Sequence, residues 1–216
     1  MSPAVTAAEA TVFLVDDDRA VLKGLERLLR AAGFAVRGFA SSETFLEQHD
    51  PMTPGCAVLD LAMSGLNGLE LQQALAARGL DRPVIFLTGR GDIATSVQAM
   101  KAGATDFLTK PVAAGDLMAA VRLAVEKDRQ ARAARVERAS IEHRLATLTR
   151  REGEVLRHVV AGRLNKQIAA DLGMAEKTVK VHRGRLMAKM GVRSVAELVR
   201  MTAEAGIAPA RTHRGA

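Results

Sequence analysis

Aromatic side chains are scarce in this sequence of 216 residues, which contains six phenylalanines and neither tyrosine nor tryptophan. Proteins that bind single-stranded nucleic acid stack its bases on aromatic rings, so this composition disfavours that mode of binding. The single cysteine, Cys56, excludes an intramolecular disulfide and suits a reducing compartment. The five histidines are scattered, and none is spaced with Cys56 as the ligands of a zinc site would be.

Long hydrophobic runs are also absent. No uninterrupted apolar stretch approaches the roughly 20 residues that a membrane-spanning helix needs. The first apolar stretch has no basic segment before it and three aspartates directly after it, which is not the pattern of a signal peptide. The sequence therefore predicts a cytoplasmic protein with no membrane partner.

Charge is distributed unequally along the chain. Residues 1–125 hold 11 basic and 14 acidic residues, whereas residues 126–216 hold 20 basic and 10 acidic residues. An acidic-leaning half joined to a strongly basic half predicts that the second half binds a polyanion.

Apolar runs alternate with amphipathic helical stretches over residues 11–125. Parallel strands that are connected by helices pack with those helices on both faces of the sheet. The pattern therefore predicts an α/β fold with a doubly wound, five-stranded parallel sheet. The predicted strands are 11–16, 34–39, 56–60, 83–88 and 105–109, and the predicted helices are 19–32, 41–48, 68–78, 93–102 and one that begins at 114.

The second half contains no strand-like run. One long charged helix is predicted over 114–147, either as a solvated linker or as a helix that also packs against a partner chain. Four further helices are predicted near 150–161, 165–172, 176–190 and 194–204, with glycines between them. The predicted organisation is an α/β domain at 10–125, a helical linker at 126–147 and an all-α domain at 148–206.

Carboxylates follow two of the predicted strands. Asp16 and Asp17 end the first strand, and Asp60 ends the third. In a sheet with the strand order 2-1-3-4-5 these strands are neighbours, so the three carboxylates would converge at the carboxyl edge of the sheet. Oxygen ligands without histidine or cysteine select Mg²⁺ or another hard cation.

Two further polar residues, Thr88 and Lys110, lie at the ends of the fourth and fifth predicted strands. Mg²⁺ beside an exposed aspartate suits phosphoryl transfer, and an aspartate nucleophile would form an aspartyl phosphate. Lys110 can pair with the new phosphate as a point charge, and Thr88 can donate a hydrogen bond to it.

These residues resemble the receiver domain of two-component response regulators over roughly residues 11–125. The resemblance implies that Asp60 is the phosphoacceptor and that Thr88 and Phe107 form the switch pair. One departure is Ser64, which stands where the family usually has proline, and it predicts a more mobile loop after Asp60. The motifs that carry the resemblance are Leu14-Val15-Asp16-Asp17-Asp18, Asp60 with Met63 and Gly68, Thr88-Gly89, and Lys110-Pro111.

The same resemblance implies a metal site and a backbone feature. Asp16 and Asp17 would help to bind Mg²⁺ together with Asp60, and Ala62 would contribute its backbone carbonyl to the metal. The Lys110–Pro111 bond would be cis, which is plausible only because proline follows.

The basic half contains a helix-turn-helix pattern: two helices joined by a short turn with Gly173. Basic side chains fall on exposed faces of the second helix, whose N-terminus would enter a major groove. The alternative to DNA binding is that these basic side chains form a charged face that contacts only solvent. The basic residues on that helix are Lys177, Lys180, Arg183 and Arg185.

Residues 148–204 closely resemble the LuxR-type helix-turn-helix. In that family the positions of Lys180, Val181 and Gly184 commonly read base edges, and glycine at 184 removes one such contact. The residues better suited to contact phosphates are Asn165, Lys166 and Lys177. The matches are Leu148-Thr149-Arg150-Arg151-Glu152, Gly162, Asn165-Lys166, Ile168-Ala169, Leu172-Gly173, Lys177-Thr178-Val179-Lys180-Val181-His182 and Lys189-Met190. The predicted DNA-binding residues are therefore Asn165, Lys166, Lys177, Thr178, Lys180, Val181, Arg183 and Arg185.

Together the two resemblances imply a transcription regulator of the NarL/FixJ type. Its expected partners are a sensor histidine kinase, double-stranded DNA, the transcription machinery and a second copy of the chain after phosphorylation. One alternative is a constitutive DNA-binding dimer whose receiver is not used. Another is a phosphatase with an aspartate nucleophile, but Leu61 and Ala62 follow Asp60 where such an enzyme would usually carry its general acid.

Overall fold

The first half of the chain is a five-stranded, all-parallel sheet in the order β2-β1-β3-β4-β5. The computed structural model describes residues 10–89, 93–207 and 210, without the side chains of 93–96. The α/β fold and the strand order predicted from the sequence are confirmed. The strands are β1 (Thr11–Val15), β2 (Ala35–Phe39), β3 (Gly55–Asp60), β4 (Val84–Thr88) and β5 (Asp106–Thr109).

Helices cover both faces of this sheet. One apolar cluster joins β1, β3 and β4 to α1 and α5, and it includes Leu29 and Leu117. The other joins them to α2, α3 and α4, and it includes Phe45 and Leu71. Every residue of β3 and β4 is buried, as expected for central strands between two helical layers. The helices are α1 (Arg19–Ala31), α2 (Ser42–Gln48), α3 (Gly68–Ala77), α4 (Ile93–Lys101) and α5 (Ala114–Ala146).

Polar side chains cap the N-termini of several helices. Asp18 accepts hydrogen bonds from two backbone N–H groups of α1, and Ser41 accepts one from α2. Asn67 and Glu70 form a reciprocal capping box on α3. Asp92, which the sequence suggests as the cap of α4, lies outside the described residues.

Helix α5 continues without a break over 33 residues, as the sequence predicts. Contacts divide the chain into two units after Arg132, which lies inside the predicted linker. The Asp128 carboxylate accepts a hydrogen bond of 2.8 Å from the Gly55 N–H. Arg132 donates to Asp128 and to the backbone carbonyls of residues 51, 52 and 53. These bonds attach helix α5 to the rest of the first unit as far along the helix as Arg132.

The described residues of the second unit form helices joined by short turns and contain no strand, as predicted. Val155, Ile168, Val179, Leu186 and Leu198 lie in its core and are all fully buried. Besides the last turns of α5, its helices are α6 (Arg150–Val160), α7 (Asn165–Leu172), α8 (Glu176–Met190) and α9 (Val195–Glu204).

A buried carboxylate connects α6 to α8. Glu152 accepts a hydrogen bond of 2.7 Å from Lys189 Nζ and one of 2.8 Å from the Thr149 N–H. The Lys189 ammonium and then the Thr149 backbone lower the pKa of Glu152 to about 2. Because its pKa is lower in the folded state, this carboxylate stabilises the fold above its ordinary pKa of 4.5, and the contribution is lost as the pH falls towards 2.

We expect Glu152→Gln to lower the free energy of unfolding at pH 7 by about 1–3 kcal/mol, because one partner of a buried charged hydrogen bond is removed. The difference from the wild type should shrink between pH 4.5 and pH 2, where the wild-type carboxylate takes up its proton. Urea unfolding followed by circular dichroism at several pH values measures both effects.

Glu154→Gln on the same helix is the matched control. Its partners, Arg150 and Arg151, are exposed, so its removal should cost at most about 1 kcal/mol. A Glu152→Gln effect that is equal at pH 7 and at pH 3 would contradict the ion-pair account.

Candidate functional site

The carboxyl edge of the sheet carries an acidic cluster. The register pairs Val15 of β1 with Leu59 of β3, so the residues after them are side by side. Carboxylate oxygens of Asp16, Asp17 and Asp60 all lie within 4.8 Å of one another. The convergence of these three carboxylates is as the sequence predicts.

Lys110, which follows β5, neutralises part of this cluster. Its Nζ lies 2.6 Å from Asp16 Oδ2 and 3.0 Å from Asp60 Oδ1. Its backbone N–H donates to the Thr88 carbonyl, which holds this segment beside the end of β4. The peptide bond from Lys110 to Pro111 is cis, as expected.

Burial and ion pairing shift the pKa values of these groups in opposite directions. Burial raises the pKa of Asp16, which is 2% exposed, and the ion pair with Lys110 opposes that rise. Burial alone would lower the pKa of Lys110, but its contacts with Asp16 and Asp60 outweigh it and raise the pKa. The lysine therefore stays charged inside the pocket.

Asp60 retains an unsatisfied oxygen. The residue is 5% exposed, and its Oδ1 is buried without a hydrogen-bond partner. Lys110 lies close enough to this oxygen for an ion pair, but the contact does not have hydrogen-bond geometry. The ion pair with Lys110 offsets part of the cost of burying this oxygen, and a further cation or donor would offset the rest. Three carboxylates suit Mg²⁺, and the cluster includes no histidine or cysteine among the described residues.

The other predicted receiver residues surround the cluster. Thr88 ends β4 and is 6% exposed, and the preceding residue, Leu87, is in register with Asp60. Phe107 lies half-buried on β5 and packs against the core beneath α3 and α4. Ala62 lies exposed two residues beyond Asp60. A Cβ at Gly68 would stand 2.5 Å from the Asp60 carbonyl oxygen, so only glycine allows α3 to begin there.

Ser64 contacts the cluster, which sequence reasoning missed. Its N–H and hydroxyl both donate to Asp17 Oδ2, at 3.0 and 3.1 Å. The Ser64 N–H bond is the main reason that the pKa of Asp17 is lowered. The departure from proline had suggested a more mobile loop, whereas these bonds attach the loop to the end of β1. The only sequence signal was a hydroxyl residue four positions after Asp60.

Helices α7 and α8 form the predicted helix-turn-helix. Gly173 ends α7 in the left-handed conformation, with φ of 63°, which favours glycine and permits the tight turn. On α8, Val179, Leu186 and Met190 face the core. The opposite faces carry the exposed residues Lys177, Thr178, Lys180, Val181, Gly184 and Arg185.

Two predicted DNA-binding residues bind each other. Arg183 Nη1 donates a hydrogen bond of 2.9 Å to Asn165 Oδ1, which links α8 to the start of α7. Arg183 is half-buried, so it is less exposed than Lys177, Lys180 and Arg185 on the same helix. The turn between the helices brings α8 back towards the first residue of α7, and this explains the difference. Lys166, by contrast, is exposed next to Asn165.

Comparisons with known proteins agree with both halves of this geometry. Residues 12–122 match the family model described as the response regulator receiver domain. Residues 146–202 match the model described as bacterial regulatory proteins of the luxR family.

Similar proteins share both parts. Nodulation protein W of Bradyrhizobium diazoefficiens is 42% identical over 96% of this chain and 92% of that protein. The transcriptional regulatory protein FixJ of Azorhizobium caulinodans is 43% identical over 92% of this chain and 94% of that protein. A solved structure of the response regulator StyR is 46% identical, covers 91% of this chain and all of that chain, and has a TM-score of 0.82.

An acidic pocket at the carboxyl edge of a five-stranded parallel sheet, followed by a helix-turn-helix, defines a response regulator that acts on transcription. The chain belongs to this family, with a receiver domain and a LuxR-type DNA-binding domain, and within it to the NarL/FixJ type. Its members are transcriptional regulators and not enzymes, which excludes the phosphatase alternative. In the part of the chain that the structure describes, no helix is both long and apolar enough to cross a membrane.

Proposed function

We propose that this response regulator accepts a phosphoryl group on Asp60 from a sensor histidine kinase in the cytoplasm. The observation that carries the proposal is the convergence of three carboxylates around Lys110. Asp16, Asp17 and Asp60 would hold Mg²⁺ together with the Ala62 backbone carbonyl. When bound, Mg²⁺ neutralises the phosphoryl oxygens.

The phosphoryl transfer itself needs little from the protein beyond positioning. An Asp60 carboxylate oxygen attacks the phosphorus of the kinase phosphohistidine. The new oxygen–phosphorus bond forms as the nitrogen–phosphorus bond breaks, and the imidazole nitrogen keeps the electron pair and later takes a proton from water. Lys110 already lies 3.0 Å from Asp60, so a small movement pairs its ammonium with the phosphate.

Thr88 and Phe107 would pass the signal to the surface of the receiver domain. The Thr88 hydroxyl donates a hydrogen bond to the phosphate and moves towards it. Phe107, half-buried on the neighbouring β5, then moves into the space that Thr88 leaves. Packed cores have discrete arrangements, so this change alters the surface of α4 and β5. The altered surface favours a twofold dimer.

The second domain would bind duplex DNA and present it to the transcription machinery. Lys180 and Val181 lie exposed on α8 and would read base edges in the major groove, with Thr178 and Arg185 beside them. The exposed Lys166 and Lys177 would contact phosphates.

Asn165 and Arg183 would act in the same interface as a bonded pair. Because Arg183 occupies the Asn165 carbonyl oxygen, the Asn165 NH₂ group remains available as the donor to a phosphate.

Acetyl phosphate with Mg²⁺ should convert the protein from monomer to dimer. Two linked DNA-binding domains gain avidity without new base contacts, so we expect operator affinity to rise by about 10²-fold or more. Sedimentation velocity and operator titration with and without acetyl phosphate measure both quantities, with Asp60→Asn as the control that should not respond.

Two results would contradict this chain of events. A monomer in both states with unchanged operator affinity would exclude activation by dimerisation. A protein that is already dimeric and fully bound without phosphate would favour the alternative of a constitutive DNA-binding dimer.

A further inference from the structure

The hydrogen bonds between Ser64 and Asp17 join two loops at the acidic pocket. Asp17 follows β1, whereas Ser64 lies 47 positions later in the loop between β3 and α3. Both donors of Ser64, the backbone N–H and the hydroxyl, bond to the same oxygen, Asp17 Oδ2. In the described part of the chain, no other residue donates a hydrogen bond to the second oxygen, Oδ1.

Asp17 differs from the other two carboxylates in how its side chain is held. Asp16 and Asp60 are buried and lie within 3.0 Å of the Lys110 ammonium. Asp17 is exposed and has no ion pair of that kind in the described part of the chain. Among the described residues, Ser64 is the only one from another loop or element that donates hydrogen bonds to the Asp17 side chain.

The loop that carries Ser64 is itself fixed from its other side. The Ser42 hydroxyl donates a hydrogen bond of 2.7 Å to the Leu66 carbonyl, and Ser42 is fully buried. Met63, directly before Ser64, is 7% exposed and packs in the core. Ser64 therefore projects from an anchored segment, while Asp17 is the exposed partner whose side chain would otherwise rotate freely.

We propose that Ser64 is a positioning residue for the metal: by binding Asp17 Oδ2 it fixes the orientation of the carboxylate that would help to hold Mg²⁺. This inference rests on the proposed function, in which Asp17 is a metal ligand. Residues that hydrogen-bond to a metal-ligating carboxylate orient it, and their loss typically costs about 10–100-fold in metal affinity. Proline at position 64 would remove both donors, since it has neither an N–H nor a hydroxyl.

The test measures metal affinity in the full-length protein without any phosphodonor. Free Mn²⁺ is followed by electron paramagnetic resonance, and Mg²⁺ affinity is obtained by competition. Ser64→Pro should weaken Mg²⁺ binding by about 10–100-fold, and Ser64→Ala, which keeps the N–H, should lose less. Ser64→Thr keeps both donors and should remain within about twofold of the wild type.

Two control variants complete the series. Ser140→Ala changes an exposed serine of α5 outside the pocket and should bind Mg²⁺ as the wild type does. Asp17→Asn removes the carboxylate itself and should bind Mg²⁺ at least as weakly as Ser64→Pro. Circular dichroism without metal checks that each variant is folded.

The outcomes separate this inference from the proposed function. If the wild type binds no Mg²⁺, the metal step of the proposed function fails. If the wild type binds Mg²⁺ and Asp17→Asn does not, but Ser64→Ala and a folded Ser64→Pro equal or exceed the wild type, only the role of Ser64 is overturned. The order of affinity wild type ≈ Thr > Ala > Pro at position 64 supports it.

Discussion

Asp60→Asn should abolish phosphorylation of this protein by acetyl phosphate or by its kinase. The amide lacks the charged oxygen that attacks phosphorus, so the oxygen–phosphorus bond cannot form. The substitution nearly preserves side-chain volume, and the residue sits at the end of a fully buried strand, so the fold should be retained. Phosphate-affinity gel electrophoresis, with and without Mg²⁺, measures the modified fraction directly. The wild type should be modified only when Mg²⁺ is present.

A matched control uses the same change at an exposed carboxylate outside the pocket. Asp116→Asn, in the first turn of α5, should be phosphorylated as the wild type is. Lys110→Ala keeps Asp60 as the acceptor. We expect it to be phosphorylated poorly and to retain the phosphate poorly, since the pocket loses its paired cation. Equal phosphorylation of the wild type and Asp60→Asn would show that the acceptor is another residue.

Lys180→Ala should weaken binding to the specific operator by about 1–3 kcal/mol, roughly 5–150-fold, if Lys180 reads a base edge. The side chain is 66% exposed and lies 3.9 Å from Glu176, a distance at which an exposed ion pair holds it only weakly. Breaking this ion pair therefore costs little free energy, and the Lys180 side chain is available to contact DNA. Fluorescence anisotropy with operator and with unrelated duplex DNA measures the loss of specificity.

Lys177→Ala provides the comparison within the same helix. A phosphate contact carries no sequence information, so this variant should weaken operator and unrelated DNA alike. The slope of log affinity against log salt should fall by about one. Lys127→Ala, an exposed lysine of the first unit, should change neither quantity. Operator binding by Lys180→Ala that equals the wild type would remove Lys180 from base reading.

The sequence alone determined the order of elements and most of the candidate site. Periodicity, caps and glycines act over a few residues, so helices such as Glu176–Met190 begin and end where predicted. Strand ends in a parallel sheet meet at one edge by geometry alone, so the convergence of Asp16, Asp17 and Asp60 followed from strand order. Short motifs were sufficient to identify the family because the residues that carry them lie at those same strand and helix ends.

Only the tertiary structure decided which distant polar groups bond to each other. Ser64 and Asp17 are 47 positions apart, and Asp128 and Gly55 are 73 apart. The half-buried pair of Arg183 and Asn165 depends on how the turn folds α8 back along α7. Such bonds form within about 3 Å and depend on loop paths and side-chain rotamers, which no local pattern specifies. The periodicity of the sequence indicates which face a residue occupies, but its hydrogen-bond partner depends on the packed chain.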